Sequence, residues 1–153
     1  MPIKIEGETI LGNIIECPLS QSGDTTLYVW PLRCLNNKTG GPTFGIDANG
    51  EEALRFDAHG ERGHWHSSYA RLGVGGSQQH FPEELIESES QLTWALSQVR
   101  EKGQKLLTEA GYPEAAASLD QSLVLAATQT VVDHLKQEGD VRSKGIELGV
   151  IEA

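Results

Sequence analysis

Asp57, His59, His64 and His66 fall within the ten-residue stretch DAHGERGHWH. Three imidazoles and a carboxylate at this spacing supply the nitrogen and oxygen ligands of a divalent transition metal such as zinc, manganese or nickel, with water completing an open coordination position. The same side chains suit proton transfer without a metal, His59 pairing with His64 or His66 as general acid and base while Arg55 or Arg62 holds an anion such as phosphate. A third reading gives them no chemistry and makes them the polar face of a hairpin. The candidate metal ligands are therefore Asp57, His59, His64 and His66, the candidate catalytic pair His64 and His66, and the candidate anion-binding residues Arg55 and Arg62.

All of these readings depend on what holds the stretch. In TTLYVW, Leu27 and Val29 alternate with Thr26, Tyr28 and Trp30, and in PTFGIDANGEEALRF, Phe44, Ile46 and Ala48 mirror Leu54 and Phe56 across Asn49-Gly50, the dipeptide that most readily takes both φ > 0 positions of a type I′ turn. Ile3 and Ile5 with Ile10 to Cys17 suggest an earlier hairpin around Glu6-Gly7-Glu8, and NNKTGGP at 36–42 reads as a loop. If the meander continues with a turn centred on Glu61-Arg62, His59 faces His64 and Asp57 faces His66. All four side chains then share one sheet face, facing pairs having Cβ atoms ~4.5–5.5 Å apart. Ala58 and Trp65 point the other way, where Trp65 packs on the layer of Phe56 or on a helix.

After residue 82 the hydrophobic period changes. Ser88 and Gln91 match a capping box, and Leu92, Leu96, Val99, Leu106 and Ala110 then form one helix face that stops at Gly111. Pro113 suits the first turn of a second helix, whose Leu119, Leu123, Ala127, Val131 and Leu135 run to Gly139. The pattern predicts a single α+β domain over 1–153: an antiparallel β-meander of five or six strands in 1–82, then a long antiparallel helical hairpin over 83–139 packed on one sheet face. Residues 140–153 read equally as a returning edge strand or a disordered tail. The acids Glu83, Glu84, Glu87 and Glu89 suit a helix start. His80 is either a remote ligand or a loop-ending residue, His134 a packed helix residue, and LGVGGS a turn or lid rather than a phosphate loop, since neither Lys-Ser nor Lys-Thr follows.

Charge and composition narrow the function. The net charge is −10, with nine acids against six bases in 1–82 and thirteen against six after it. Such a chain repels a nucleic-acid backbone at long range, so general nucleic-acid binding is disfavoured. Locally Arg55, Arg62 and Arg71 outnumber Asp57 and Glu61, which leaves room for a small anionic ligand. Hydrophobic residues at 38% and charged residues at 22% match a folded globular chain. Neither a signal-peptide core nor an apolar run of ~18 residues is present, and the expectation is a cytoplasmic protein without a membrane span. Cys17 and Cys34 lack CxxC spacing and lie in apolar segments, as buried reduced thiols do. Helices with apolar residues wrapping past one face, such as Leu125 and Val132, predict a homo-oligomer through the helices.

The order of a strand pair, LRFDAHGERGHWH, a Phe and an amphipathic helix resembles the TumE-type proteins of bacterial toxin–antitoxin pairs and other small bacterial domains of unknown function, over about residues 25–107. The resemblance puts an Asp-x-x-x-Gly stretch and close histidines on Asp57, Gly60 or Gly63, His64 and His66, and implies a ribonuclease-like activity; the second helix and the tail depart from it. With no activated nucleophile in view, an oligomeric ligand- or metal-binding protein is the leading expectation. A phosphoesterase or ribonuclease-like enzyme using the same cluster is the alternative.

Overall fold

Alternation in the first half and a helical period in the second do produce an α+β arrangement, seen in a computed structural model that describes residues 7–34, 40–70 and 76–152. Two short strands, β1 (Thr9–Leu11) and β2 (Ile15–Pro18), lie end to end along one edge of β3 (Thr25–Cys34). From β3 the chain continues as an antiparallel meander through β4 (Gly40–Ala48), β5 (Glu51–Asp57), β6 (His64–Ser67) and β7 (Ser77–Gln79). Among the described residues the sheet therefore has seven strands, not five or six. The surplus arises at both ends: the stretch Ile10 to Cys17 divides into β1 and β2, each paired with β3, and β7 extends the meander beyond β6. Ile3, Ile5 and most of the proposed loop at 36–42 lie outside the described residues, but Gly40 to Pro42 already belong to β4.

The β4–β5 turn forms as its chemistry requires, Asn49 at φ 50° and Gly50 at φ 81°. Beyond it the register shifts at Ala53, so that Phe44 pairs with Phe56 and Thr43 with Asp57. Pro31 interrupts β3 with no N–H to donate, and the β3–β4 register shifts between Trp30 and Arg33.

Helix α1 (Ser88–Glu109) ends before Gly111 at φ 92° as expected, but it kinks at Lys102 (φ −132°, ψ 21°), and Gln121 Nε2 donates to the carbonyl of Arg100 at 3.0 Å beside that break. The predicted second helix is two. Between α2 (Pro113–Ser118) and α3 (Gln121–Glu138), Leu119 is extended and bridges Ser20, the Asp120 N–H donates to the Leu19 carbonyl at 2.9 Å, and the Asp120 carboxylate accepts from the N–H groups of Ser122 and Leu123. In the tail, Val141–Glu147 form a helix, α4, capped by Asp140, where a strand or disorder was expected.

The helices cover one sheet face. Leu27, Val29, Phe44, Ile46, Leu54 and Phe56 from the strands cluster with Ala95, Leu96, Val99 and Leu107 of α1 and Val124, Ala127 and Val131 of α3. A smaller apolar cluster of Leu32, Cys34, Val141 and Ile151 ties α4 to the end of β3. Both cysteines are free, Cys34 buried and Cys17 half-buried, and burial raises both thiols.

Candidate metal centre

The sheet face away from the helices carries the polar residues. The β5–β6 register is Asp57 with His64, Phe56 with Trp65 and Arg55 with His66. Expected and observed pairings differ by two residues because the connection is not a tight turn on Glu61-Arg62 but the whole segment 58–63, folded by bonds from His59 N–H to the Asp57 carbonyl (2.9 Å) and from Gly63 N–H to that of Gly60 (2.7 Å). An even shift keeps every side chain on its expected face. Asp57, His64 and His66 therefore do converge, with ligand atoms that all lie within 4.8 Å of one another. Trp65 points to the core face and stacks on Phe56 at 5.3 Å.

The two oxygens of Asp57 have different tasks. Oδ1 accepts from Thr43 Oγ1 at 2.7 Å and from Arg33 at 3.2 Å, and Arg33 is held in turn by Glu8. Oδ2 faces the Nε2 atoms of His64 and His66, each at 3.5 Å. That separation exceeds a good hydrogen bond. It is close to the ~3.3 Å between ligand atoms around a tetrahedral ion with bonds of ~2.0–2.1 Å. The Nδ1 of His64 donates to the Arg62 carbonyl at 3.1 Å, which leaves Nε2 as the lone-pair atom aimed at Asp57. The Nδ1 of His66 is buried with no hydrogen-bond partner among the described residues, and its ring meets those of His64 and Tyr69 edge-on.

Electrostatics suit ligation. Burial opposes ionisation of Asp57, but the facing His66, His59 and Arg33, with the Thr43 hydroxyl, hold its carboxyl far below the ordinary range. Burial pushes His59 down to about 4 and lowers His64 as well, so both rings are neutral at pH 7. Exposure is graded: the side chain of Asp57 is 2% exposed, that of His66 11% and that of His64 30%. The cluster is thus sunk into the protein with one imidazole toward solvent, unlike the solvated polar face that alternation suggests.

His59 is not with the other three. It lies in the connection, its Nε2 is 3.8 Å from the opposite oxygen, Oδ1, and 3.0 Å from Thr43 Oγ1. Arg55 shares the face but is sealed from solvent, its guanidinium on Glu52 at 2.7 and 2.8 Å and beside the rings of Tyr69 and Trp30 at 4.2 and 5.1 Å. Arg62 is exposed, as is His80 after β7. His134 packs on Asn13, donating to its carbonyl at 2.6 Å.

Sequence reasoning missed Arg33, Thr43 and Gln91. The expected capping box does not form: Ser88 Oγ donates to the Ala58 carbonyl, while Gln91 accepts from Gly60 N–H (3.0 Å) and donates to the carbonyls of Gly60 (2.8 Å) and Leu85 (3.0 Å). Both residues fasten the 58–63 connection to α1, and the only signal for them pointed elsewhere.

No helix among the described residues is long and apolar enough to cross a membrane. No curated protein and no solved structure matches the chain, and nothing links it to TumE-type proteins. Residues 30–135, from within β3 to the last turn of α3 and including Asp57, His64 and His66, match the family described as "Domain of unknown function (DUF7700)", and the chain belongs to that family.

Proposed function

We propose that the protein binds a divalent transition metal, zinc, manganese or nickel, through Asp57, His64 and His66. The observation that carries this reading is the convergence of three ligand atoms on one point, with one imidazole fixed in the tautomer that ligation needs. Arg33 and Thr43 hold the far oxygen of the carboxylate, the outer-shell support that orients a ligating group. Two imidazoles and one carboxylate leave coordination positions for water or a ligand on the His64 side.

Elemental analysis of untagged protein and calorimetric titration with zinc, manganese and nickel test it. One ion per chain is expected, lost when His64→Ala and His66→Ala are combined in a protein whose circular dichroism is retained. Metal-free protein that gives no heat with any of the three ions would end the reading. Leu125 on α3 and Leu148 after α4, 50% and 59% exposed, favour self-association through the helices. Sedimentation equilibrium at micromolar concentration is expected to show more than the 16.6 kDa chain, and a monomer would exclude it.

A further inference from the structure

The carboxylate of Asp57 has about four lone-pair positions, two on each oxygen, and the residues around it occupy them unequally. On Oδ1 one position accepts from the Thr43 hydroxyl at 2.7 Å and the other from the Arg33 guanidinium at 3.2 Å. That oxygen is full. Among the described residues Oδ2 faces only the two imidazoles, with Nε2 of His64 and of His66 each at 3.5 Å.

Both occupants of Oδ1 are held in place. Thr43 on β4 is the cross-strand partner of Asp57, so the two side chains share a face, and its branched Cβ restricts where the hydroxyl can turn. It is fully buried. Arg33 is tied through Nε to Glu8, and that pair is buried as well.

With Oδ1 occupied, Asp57 can bind an ion through one oxygen only, and among the described residues no further aspartate or glutamate completes the group. The donor set is two nitrogens and one oxygen. Such a set suits zinc, whose four-coordinate sites take three protein ligands and a water. Manganese favours carboxylate, carbonyl and water oxygens, and here it is denied the second oxygen of the one carboxylate present. The charge of Arg33 acts equally on two ions of the same charge, so the number of oxygens offered is what separates them. We infer that Thr43 and Arg33 are specificity residues: on the reading that Asp57, His64 and His66 bind a divalent ion, they restrict Asp57 to one oxygen and so make the site select zinc over manganese. Nickel, which imidazole also suits, is not discriminated by this device.

The selection is read as the ratio of two affinities, from calorimetric titrations with zinc chloride and with manganese chloride. Thr43→Val keeps the shape and the charge, removes one donor from Oδ1 and lets that oxygen reach the ion. Manganese gains a ligand and zinc does not, so the zinc-to-manganese ratio should fall by about ten-fold or more, within the span of outer-shell effects on affinity. Thr43→Ser keeps the hydroxyl and should keep the ratio. Thr43→Ala, which also lacks the hydroxyl, supplies the same readout where the circular dichroism of the valine variant is not native. A role confined to holding the carboxylate in place would weaken both ions by the same factor. Manganese that gives no heat with the unsubstituted protein and binds Thr43→Val would meet the expectation; manganese silent in both counts as an unchanged ratio. An unchanged ratio in the hydroxyl-free variants, or equal affinities in the unsubstituted protein, would overturn the inference and leave the metal centre standing, whereas no heat with any ion would overturn both.

Discussion

Arg55 and His59 show how burial changes the task of a residue that composition marks as reactive. Arg55 is fully buried and shares its charge with Glu52, which is 1% exposed. Removing one partner of such a pair leaves a buried charge uncompensated. Arg55→Ala should therefore cost about 3–5 kcal/mol in urea unfolding, whereas Arg62→Ala, at an exposed position, should stay within about 0.5 kcal/mol. Equal midpoints would mean that the pair is not needed. For His59, burial lowers the folded-state pKa to about 4 from an ordinary ~6.5. The unfolded chain takes up a proton below pH ~6.5 that the folded chain refuses until pH ~4, so stability is greatest above that window and is lost as the pH falls through it, by up to about 3 kcal/mol. Asp57, held low, adds a loss in the same direction once the pH falls below the ordinary carboxylate range. Denaturation midpoints at pH 7.5 and pH 5 should differ for the unsubstituted protein and converge for His59→Asn; a parallel drop in both would assign the loss to other groups.

At the scale of elements, the segment 58–63 is positioned by a helix that begins some thirty residues later. Gln91 is 3% exposed and spends its amide on Gly60 and Leu85. Gln91→Ala should cost about 1–3 kcal/mol, the penalty for unmade buried hydrogen bonds. Since His64 follows this segment directly, metal affinity should also fall, by about 10–100-fold, as when outer-shell support is removed. An unchanged affinity in a destabilised Gln91→Ala protein would show that β5 and β6 alone set the cluster. This long-range fastening is also why the pairing of His64 and His66 was not legible in the sequence. Local turn chemistry suggested a tight loop on Glu61-Arg62; the real connection is stabilised by residues that no local pattern joins to it. The face on which Asp57, His64 and His66 meet was legible because an even register shift preserves alternation. Asn49-Gly50, Gly111 and Gly139 were legible for a similar reason, each acting on its own backbone. Asp120 was not, since a continuous apolar period ran through it and the break is enforced by the backbone pairing of Leu119 and Asp120 with Leu19 and Ser20. Thr43 reaches Asp57 only because of the shift at Ala53; a regular ladder from the Asn49-Gly50 turn would place it opposite Phe56.

The described residues form two apolar clusters of unequal size, and the proposed metal site lies on strands of the larger one. Asp57, His64 and His66 sit on β5 and β6, whose other faces carry Leu54, Phe56 and Trp65 of the main core. Helix α4 rests on the smaller cluster of Leu32, Cys34, Val141 and Ile151. Elements with few buried apolar contacts open at lower free energy than the global transition. Amide protons of Val141–Glu147 are therefore expected to exchange faster than those of β4 and β5. A ligand that binds the folded chain and not the unfolded one stabilises it by about 2.7 kcal/mol at one hundred times its Kd. Applied to this molecule, that increment acts only on openings that separate Asp57 from His64 and His66. Zinc at that excess should slow exchange in β4 and β5 by about a hundred-fold and leave α4 unchanged, because α4 can detach with the cluster intact. Hydrogen exchange followed by mass spectrometry, with and without zinc, reads both segments in one experiment. Slowing of equal size in α4 and in the strands would show that α4 opens only when the whole sheet does, and that the two clusters behave as one cooperative unit.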